Sequence, residues 1–203
     1  DRLPAVMKRM LKKIIPKPWI AGYHLALAYL AAVCYGRPAE KMIVIGVTGT
    51  SGKSSVIYFL RQLLQAAGYK VGALSTVEFC VDGQCRLNDR KMTMLGRMQT
   101  QGFLRDMVES DCEIAIVETT SEGYLQSRHR FINYDIIVLT NLYPEHIEAH
   151  GGFENYKAAK LGIFRYVANC KRKNRQVKIA IVNGESKYAD EFLAFPFDKK
   201  IKY

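Results

Sequence analysis

Residues 43–55 read Ile43-Val44-Ile45-Gly46-Val47-Thr48-Gly49-Thr50-Ser51-Gly52-Lys53-Ser54-Ser55. The apolar run Ile43–Val47 has the character of a buried strand. The segment Ser54–Ala67 has helical spacing, with Gly68 as its stop. Between them lies a glycine-rich turn. A phosphate chain needs closely spaced backbone N–H donors, and glycine lets the main chain approach without a Cβ clash. Lys53 supplies a point charge for the outer phosphates, the Ser54 hydroxyl can ligate Mg²⁺, and a helix starting here adds its positive end. Strand, loop, Gly-Lys-Ser and helix occur in the order that separates a phosphate-binding loop (P-loop) from a glycine-rich turn with a surface lysine. The nucleotide-contacting candidates are therefore Thr48, Gly49, Thr50, Ser51, Gly52, Lys53, Ser54 and Ser55. Val47 stands where the general pattern has glycine.

Working outward, further short apolar runs at Val71–Leu74, Ile114–Glu118, Ile136–Thr140 and Lys178–Val182 predict strands buried on both faces, as in a parallel sheet. Helices are expected at Arg97–Ser110, Phe153–Ala168 and Ser186–Leu193, and Val77–Leu87, centred on Asp82-Gly83, reads as a hairpin. Strands and helices in alternation predict an α/β domain with a doubly wound, mostly parallel sheet and ligands at the strand C-termini. The expected division is a basic and apolar helical segment, residues 1–41, before a nucleotide-binding domain, residues 42–203.

The chain has 203 residues, 30 basic against 19 acidic, for a formal charge of +11. At 49% hydrophobic and 24% charged it is an ordinary globular composition, which excludes global disorder. Arg2, Lys8, Arg9, Lys12, Lys13, Lys17, Arg37 and Lys41 face only Asp1 and Glu40, so the first 41 residues carry +6 of the +11. A second cluster, Lys171, Arg172, Lys173 and Arg175, reads as a solvated helix end or loop. Two local patches do not describe a nucleic-acid-binding face. Trp19–Tyr35 carries no formal charge, and three readings stay open for it: a helix packed on the following domain, a helix in the membrane interface with the upstream lysines on anionic headgroups, or, at the short edge of the needed length, a membrane span. Five cysteines without a CxxC pair argue against a disulfide framework or a zinc ribbon and suit a reducing cytoplasm. The localisation expected is cytoplasmic, with peripheral contact at the inner membrane face through residues 1–35.

Thr-Gly-Thr-x-Gly-Lys-Ser-Ser at 48–55 resembles the loop of the Mur ligases, ATP-dependent amide-forming enzymes of peptidoglycan precursor synthesis, and of the related folylpolyglutamate synthases. Glu118-Thr119-Thr120-Ser121-Glu122-Gly123 is similar to the family's Glu-Val-Ser-Ser-His-Gly, and Arg128 falls where the family has an arginine. Thr140-Asn141-Leu142 with His146, His150 and Gly151 is similar to its Thr-Asn-Leu…His-Gly segment, and Ala158-Ala159-Lys160 to its Ala-Ala-Lys. The likeness covers about residues 42–185 and is closest to the MurE-type branch that adds the third amino acid. It implies ATP and Mg²⁺ as cofactors and Asn141 at the nucleotide. Ser54, Glu118, His146 and a carbamylated Lys160 are implied as metal ligands; Lys53, Lys160, Glu118 and His146 as catalytic. Thr93, Thr120, Ser121 and Arg128 are implied at a muramyl-peptide-like substrate. From the pattern alone Lys160 is a solvated lysine, whereas Glu118, at a strand C-terminus facing the loop, reads as a carboxylate for Mg²⁺ in preference to a helix-capping or surface glutamate. The chain departs from the family at Glu145, preceded by Pro144, at Glu122 in place of histidine, and at Met92-Thr93-Met94 in place of Thr-Thr-Pro. These departures bear on the acceptor, not on the nucleotide.

The resemblance further implies one domain of an enzyme that normally has three. The UDP-sugar domain is replaced by about forty residues, and a C-terminal closing domain is to be supplied in cis or in trans. Beside the amide ligase stand two alternatives, a P-loop kinase of a small metabolite and a non-catalytic, membrane-associated nucleotide-binding module. No arginine-rich lid that would favour the kinase is recognisable.

Overall fold

The computed structural model describes residues 17–90, 92–145, 150–173 and 176–203. A long helix, α1 (Lys17–Cys34), leads through a 3₁₀ turn at Pro38–Glu40 into β1 (Ile43–Thr48) and α2 (Lys53–Ala66). There follow β2 (Val71–Leu74), a hairpin of β3 (Glu78–Val81) and β4 (Gln84–Leu87), α3 (Arg97–Glu109), β5 (Ile114–Glu118) and the short α4 (Ser121–Leu125). The chain continues through β6 (Ile136–Leu139), α5 (Phe153–Ala168), β7 (Ile179–Val182), α6 (Ala189–Leu193) and β8 (Lys199–Lys202). The strands form one sheet of eight in the order β4-β3-β2-β5-β1-β6-β7-β8. Every neighbouring pair is parallel except those made by β3, which runs antiparallel to β2 and β4.

Side chains of a strand alternate between its faces, so each apolar run feeds two cores. Val44, Ala115, Val117, Ile137 and Leu139 face α3 and α5, where Leu104, Met107, Ile163 and Phe164 complete one cluster. Ile45, Val47, Ile114, Ile116 and Val138 face α2 and pack on Ile57. With both faces covered, the strand C-termini are the free edge, and the loops after β1, β5 and β6 meet there. The doubly wound α/β domain expected from the apolar runs is present. The β8 strand, Lys-Lys-Ile-Lys, was not expected, because an edge strand of lysines has no apolar run to betray it.

Two expectations are corrected. The cysteine spacing argued against disulfides, yet Cys80 and Cys85 are bonded. They sit directly opposite each other across the β3–β4 ladder, 4.1 Å apart at Cα, so the hairpin itself brings them together without any framework. Cys34, Cys112 and Cys170 are free. The cluster Lys171–Arg175 is not uniformly solvated either. Lys171 is exposed, Arg172 pairs with Asp198 at 2.6 Å, and Arg175 lies outside the described residues, but Lys173 is buried.

Lys173 belongs to a cluster beneath the sheet. Its ammonium lies 2.5 Å from Asp135 Oδ2 and donates to the carbonyls of Ala39, Met42 and Asn133 at 2.8, 2.7 and 2.8 Å. Lys178 donates to Asp135 Oδ1 at 3.0 Å, and Asp135 Oδ2 also accepts the Val44 N–H at 2.9 Å. One carboxylate thus ties the N-terminal ends of β1, β6 and β7 to the chain arriving from α1. Removing it leaves two buried ammonium groups without their anion. Asp135→Ala is expected to lower the unfolding free energy by about 3–5 kcal/mol in urea denaturation. Lys171→Ala should stay within about 0.5 kcal/mol of the parent.

Candidate functional site

The loop between β1 and α2 is pressed against the end of β6. Gly49 has φ +154°, and a Cβ built there would lie 1.9 Å from Thr140 Oγ1, so no larger residue fits. The Thr140 hydroxyl donates to the Ser51 carbonyl at 2.7 Å. Asn141 Oδ1 accepts the N–H groups of Thr50 and Ser51 at 3.1 and 3.0 Å, and the Tyr156 hydroxyl reaches Thr50 Oγ1 at 3.2 Å. The loop is held from β6 and from α5. Gly52, at φ +74°, opens α2 with no side-chain cap on the helix. The first-turn N–H groups of α2 therefore point outward without a protein acceptor from a cap.

Two lysines end on one carbonyl. Lys53 Nζ donates to Gly49 O at 3.1 Å and to Thr50 O at 3.0 Å; Lys160 Nζ donates to the same Gly49 O at 2.8 Å. Lys160 is only 1% exposed, against its reading from the pattern as a solvated lysine, and its ammonium sits 4.7 Å from the centre of the Tyr156 ring. Burial, reinforced by the charge of Lys53, pushes its pKa down to about 7. Burial lowers the Lys53 pKa too, with Glu118 and Glu145 opposing.

Glu118, at the C-terminal end of β5, is 2% exposed. Its Oε2 accepts the Ser54 hydroxyl at 2.9 Å and the Thr76 N–H at 2.7 Å. A hydroxyl and a carboxylate oxygen so close, at a phosphate-type loop, are the hard oxygen donors that Mg²⁺ takes. His146, the other expected ligand, lies outside the described residues. Thr48 is wholly buried in β1, its carbonyl accepting the Thr140 N–H at 2.9 Å, and it is not among the residues lining the cleft beside the loop. Ser55 stands with Ser54 on a neighbouring hollow of about 250 Å³.

A cleft of about 480 Å³ opens beside the loop, with Lys53 and Lys160 on one wall and Thr93, Thr120, Ser121 and Arg128 on the other. Thr120 caps α4, accepting the Gly123 N–H at 3.0 Å, and Ser121 Oγ lies 3.1 Å from His150 Nε2. Arg128 is braced by Gln126 Oε1 and by the Met94 carbonyl. Its pKa is lowered by burial, with Glu122 opposing. Arg97 donates to the Gln126 carbonyl, and its pKa is lowered by burial and by Arg128. Three cationic side chains, Lys53, Lys160 and Arg128, thus line a cleft that also holds Glu122, with Glu118 and Glu145 acting on Lys53. Tyr156 was missed in the sequence, because a tyrosine at helical spacing reads as core. The hydroxyl of Tyr156 reaches the loop all the same.

A doubly wound α/β domain with a glycine-rich, lysine-bearing loop at its strand C-termini, and a cationic cleft beside it, has the architecture common to nucleotide-binding domains. Residues 47–203 match the family model of the Mur ligase middle domain. The chain belongs to that family. It is 33% identical over 184 residues to the UDP-N-acetylmuramyl-tripeptide synthetase of Roseiflexus sp. (strain RS-1), covering 88% of this chain and 36% of that protein. To the protein of the same name from Borrelia garinii subsp. bavariensis it is 39% identical over 164 residues, 79% of this chain and 31% of the other. The chain spans about a third of the length of these relatives. In fold it is similar to a UDP-N-acetylmuramoyl-L-alanyl-D-glutamate–2,6-diaminopimelate ligase, with a TM-score of 0.66 at 24% identity over 80% of this chain and 32% of that one. Escherichia coli FolC in complex with DHPP and ADP gives 0.62 at 22% identity, over 92% of this chain and 51% of that one.

The Lys160 amine makes a pH prediction. An ordinary lysine titrates near 10.5 and this one near 7, so between those values the unfolded chain binds a proton that the folded chain does not. Its contribution to stability rises with pH across that window, and the penalty is complete below pH 7. Denaturant titrations of Lys160→Met are expected to lose that slope; a variant keeping it would assign the pH dependence to another group.

Proposed function

We propose that residues 42–203 form the ATP-binding central domain of an ATP-dependent ligase joining a muramyl-peptide-like carboxylate to an amino acid, acting in the cytoplasm, with residues 1–41 as an appendage. The observation that carries this reading is the convergence of Lys53 and Lys160 on the Gly49 carbonyl, 3.1 and 2.8 Å away, beside the uncapped start of α2. The Lys53 cation, the amine of Lys160 beside it and a row of outward N–H groups suit a polyphosphate. Ser54 and Glu118 would hold Mg²⁺, which when bound neutralises phosphate charge.

In this reading an acceptor carboxylate lies in the cleft against Arg128, near Thr93, Thr120 and Ser121. Its oxygen attacks the γ-phosphorus, the bond to the bridging oxygen breaks, and ADP leaves with that electron pair. The amine of the incoming amino acid then attacks the acyl carbon, inorganic phosphate departs, and the nitrogen loses a proton. Lys53 draws charge from the transferring group, and most of the acceleration comes from positioning and charge neutralisation. A closing domain, in cis or in trans, would bring the amino acid. Glu122, a carboxylate where related sequences have histidine, would favour a different acceptor contact at the cleft rim.

Lys160 suits carbamylation for a physical reason. A neutral amine attacks CO₂, forming an N–C bond and releasing one proton, and a pKa near 7 keeps much of Lys160 neutral at physiological pH. The carbamate would turn the second cation on Gly49 into an anion able to face Mg²⁺. Carbon-13 NMR in labelled bicarbonate is expected to show a carbamate signal that Lys160→Met lacks.

Calorimetry tests the nucleotide. Mg-ATP should bind, and Lys53→Ala should weaken it at least tenfold; no binding by the parent ends this reading. Trapping of an acyl phosphate with a muramyl-peptide panel supports the ligase, whereas a stable phosphorylated product points to the kinase.

A further inference from the structure

The helix α1 is apolar on both sides. Its inner stripe, Ala28, Ala31 and Ala32 with Leu27 and Tyr35 at its edge, packs along α3, where the Tyr35 ring comes within 3.4 Å of the place a Cβ on Gly102 would occupy. Small residues let the two helices lie close. Trp19, Tyr23, Leu25, Tyr29, Leu30 and Val33 point the other way and are between 43% and 76% exposed. Surface helices carry polar residues on that side, and a helix apolar all round is normally covered. No helix of the described residues is long and apolar enough to cross a membrane.

We propose that the outer face of α1 docks on an anionic membrane surface, lying in the headgroup region with the nucleotide domain above it. Charge selects this occupant. In the sequence Arg2, Lys8, Arg9, Lys12 and Lys13 precede the helix and Lys17 opens it, against Asp1 alone. At its other end Arg37 stands over the Tyr29 ring, 5.9 Å from its centre, and Phe131 meets the same ring edge-on at 5.4 Å. Arg37 and Phe131 also line a hollow of about 270 Å³ that includes Lys171, while Arg130 lies beside it over Tyr166. Glu40 on that rim is already engaged by Asn133 Nδ2 at 3.0 Å. An aromatic and aliphatic face with cations at both ends matches the layering of a membrane interface: apolar side chains among the upper acyl carbons, tryptophan and tyrosine at the boundary, lysine and arginine on phosphates. A second copy is a poor fit. Parallel or antiparallel, pairing two such faces would bring basic ends together.

Trp19 is the only tryptophan and sits on the proposed face, 76% exposed, so the protein carries its own probe. With vesicles of phosphatidylcholine and phosphatidylglycerol at low salt its emission should shift to the blue, and high salt should reverse the shift. Vesicles of phosphatidylcholine alone should give little change. Leu30→Glu with Val33→Glu, at exposed positions, is expected to weaken partitioning at least tenfold while circular dichroism and thermal melting stay as in the parent. Each of Lys8→Gln, Lys12→Gln and Lys13→Gln should weaken it by about fivefold. Equal binding to neutral vesicles, no shift at all, or insensitivity to the lysine variants would overturn the proposal. So would a dimer in sedimentation equilibrium that Leu30→Glu dissociates. Mg-ATP binding is independent of these outcomes, so the two readings fail separately.

Discussion

There is no room for a methyl group between residue 49 and Thr140, and much of the site follows from that. A glycine at that point lets the loop after β1 lie directly on the end of β6, so the Thr140 hydroxyl and the Asn141 side chain can fasten it. Fastened there, the Gly49 carbonyl turns toward α5, and Lys160 reaches it from a position that solvent does not. The same carbonyl receives Lys53. Two amines sharing one acceptor in a buried setting is an unfavourable arrangement for two full charges, and it depresses the more deeply buried of them. The chemistry proposed for Lys160 thus traces back to a steric fact about a glycine more than a hundred residues earlier.

The opposite end of the sheet solves a different problem. There the backbone entering β1 from α1 and leaving toward β6 and β7 must be anchored where strands begin, and Asp135 does this with Lys173 and Lys178. The two lysines of this cluster differ from Lys160 in having a carboxylate between them. They share that one anion, and their remaining hydrogens are directed at carbonyls and the Asn133 side chain, a condition under which buried ions can persist. Lys160 faces a carbonyl and Lys53, with no acid among the described residues in contact, and that setting is what the proposed carbamylation rests on. Buried lysines at the two ends of one sheet therefore sit in opposite settings, one pair held around a carboxylate and one beside a second amine.

The sheet was legible because buried parallel strands must be apolar on consecutive positions, and five of the eight announce themselves that way. The β3–β4 hairpin showed through Asp82-Gly83. What remained hidden was whatever depends on pairing across the fold. Lysine at 160 or 173 looks like solvent-facing lysine until Gly49 or Asp135 is brought beside it, because charge in a sequence carries no address. The Cys80–Cys85 bond was missed for the same reason, since spacing rules describe frameworks and the ladder register alone sets these two opposite each other. The loop residues 49–55 and Glu118 were legible through motif order, as glycine, lysine, serine and a strand-end carboxylate have few other reasons to recur so. Tyr156 was not, because a tyrosine that turns its ring to the core and its hydroxyl to the loop presents only its ring to a periodicity argument.

The charge of +11 can now be divided by environment. Lys160, Lys173 and Lys178 are internal and contribute little to the field felt by a distant partner. Lys53 and Arg128 line the cleft together with the end of Lys160, and low dielectric there concentrates their effect on an anionic substrate. Much of the remainder belongs to the N-terminal segment and to Arg37, which flank a helix whose outer side is apolar. A freely diffusing domain would gain nothing from keeping Trp19, Tyr23 and Leu30 in water next to such a cluster, and would carry the association risk of the exposed patch. A surface that presents phosphate and hydrocarbon together accounts for both features at once, whereas either an acidic protein or an apolar groove would account for one and leave the other unexplained.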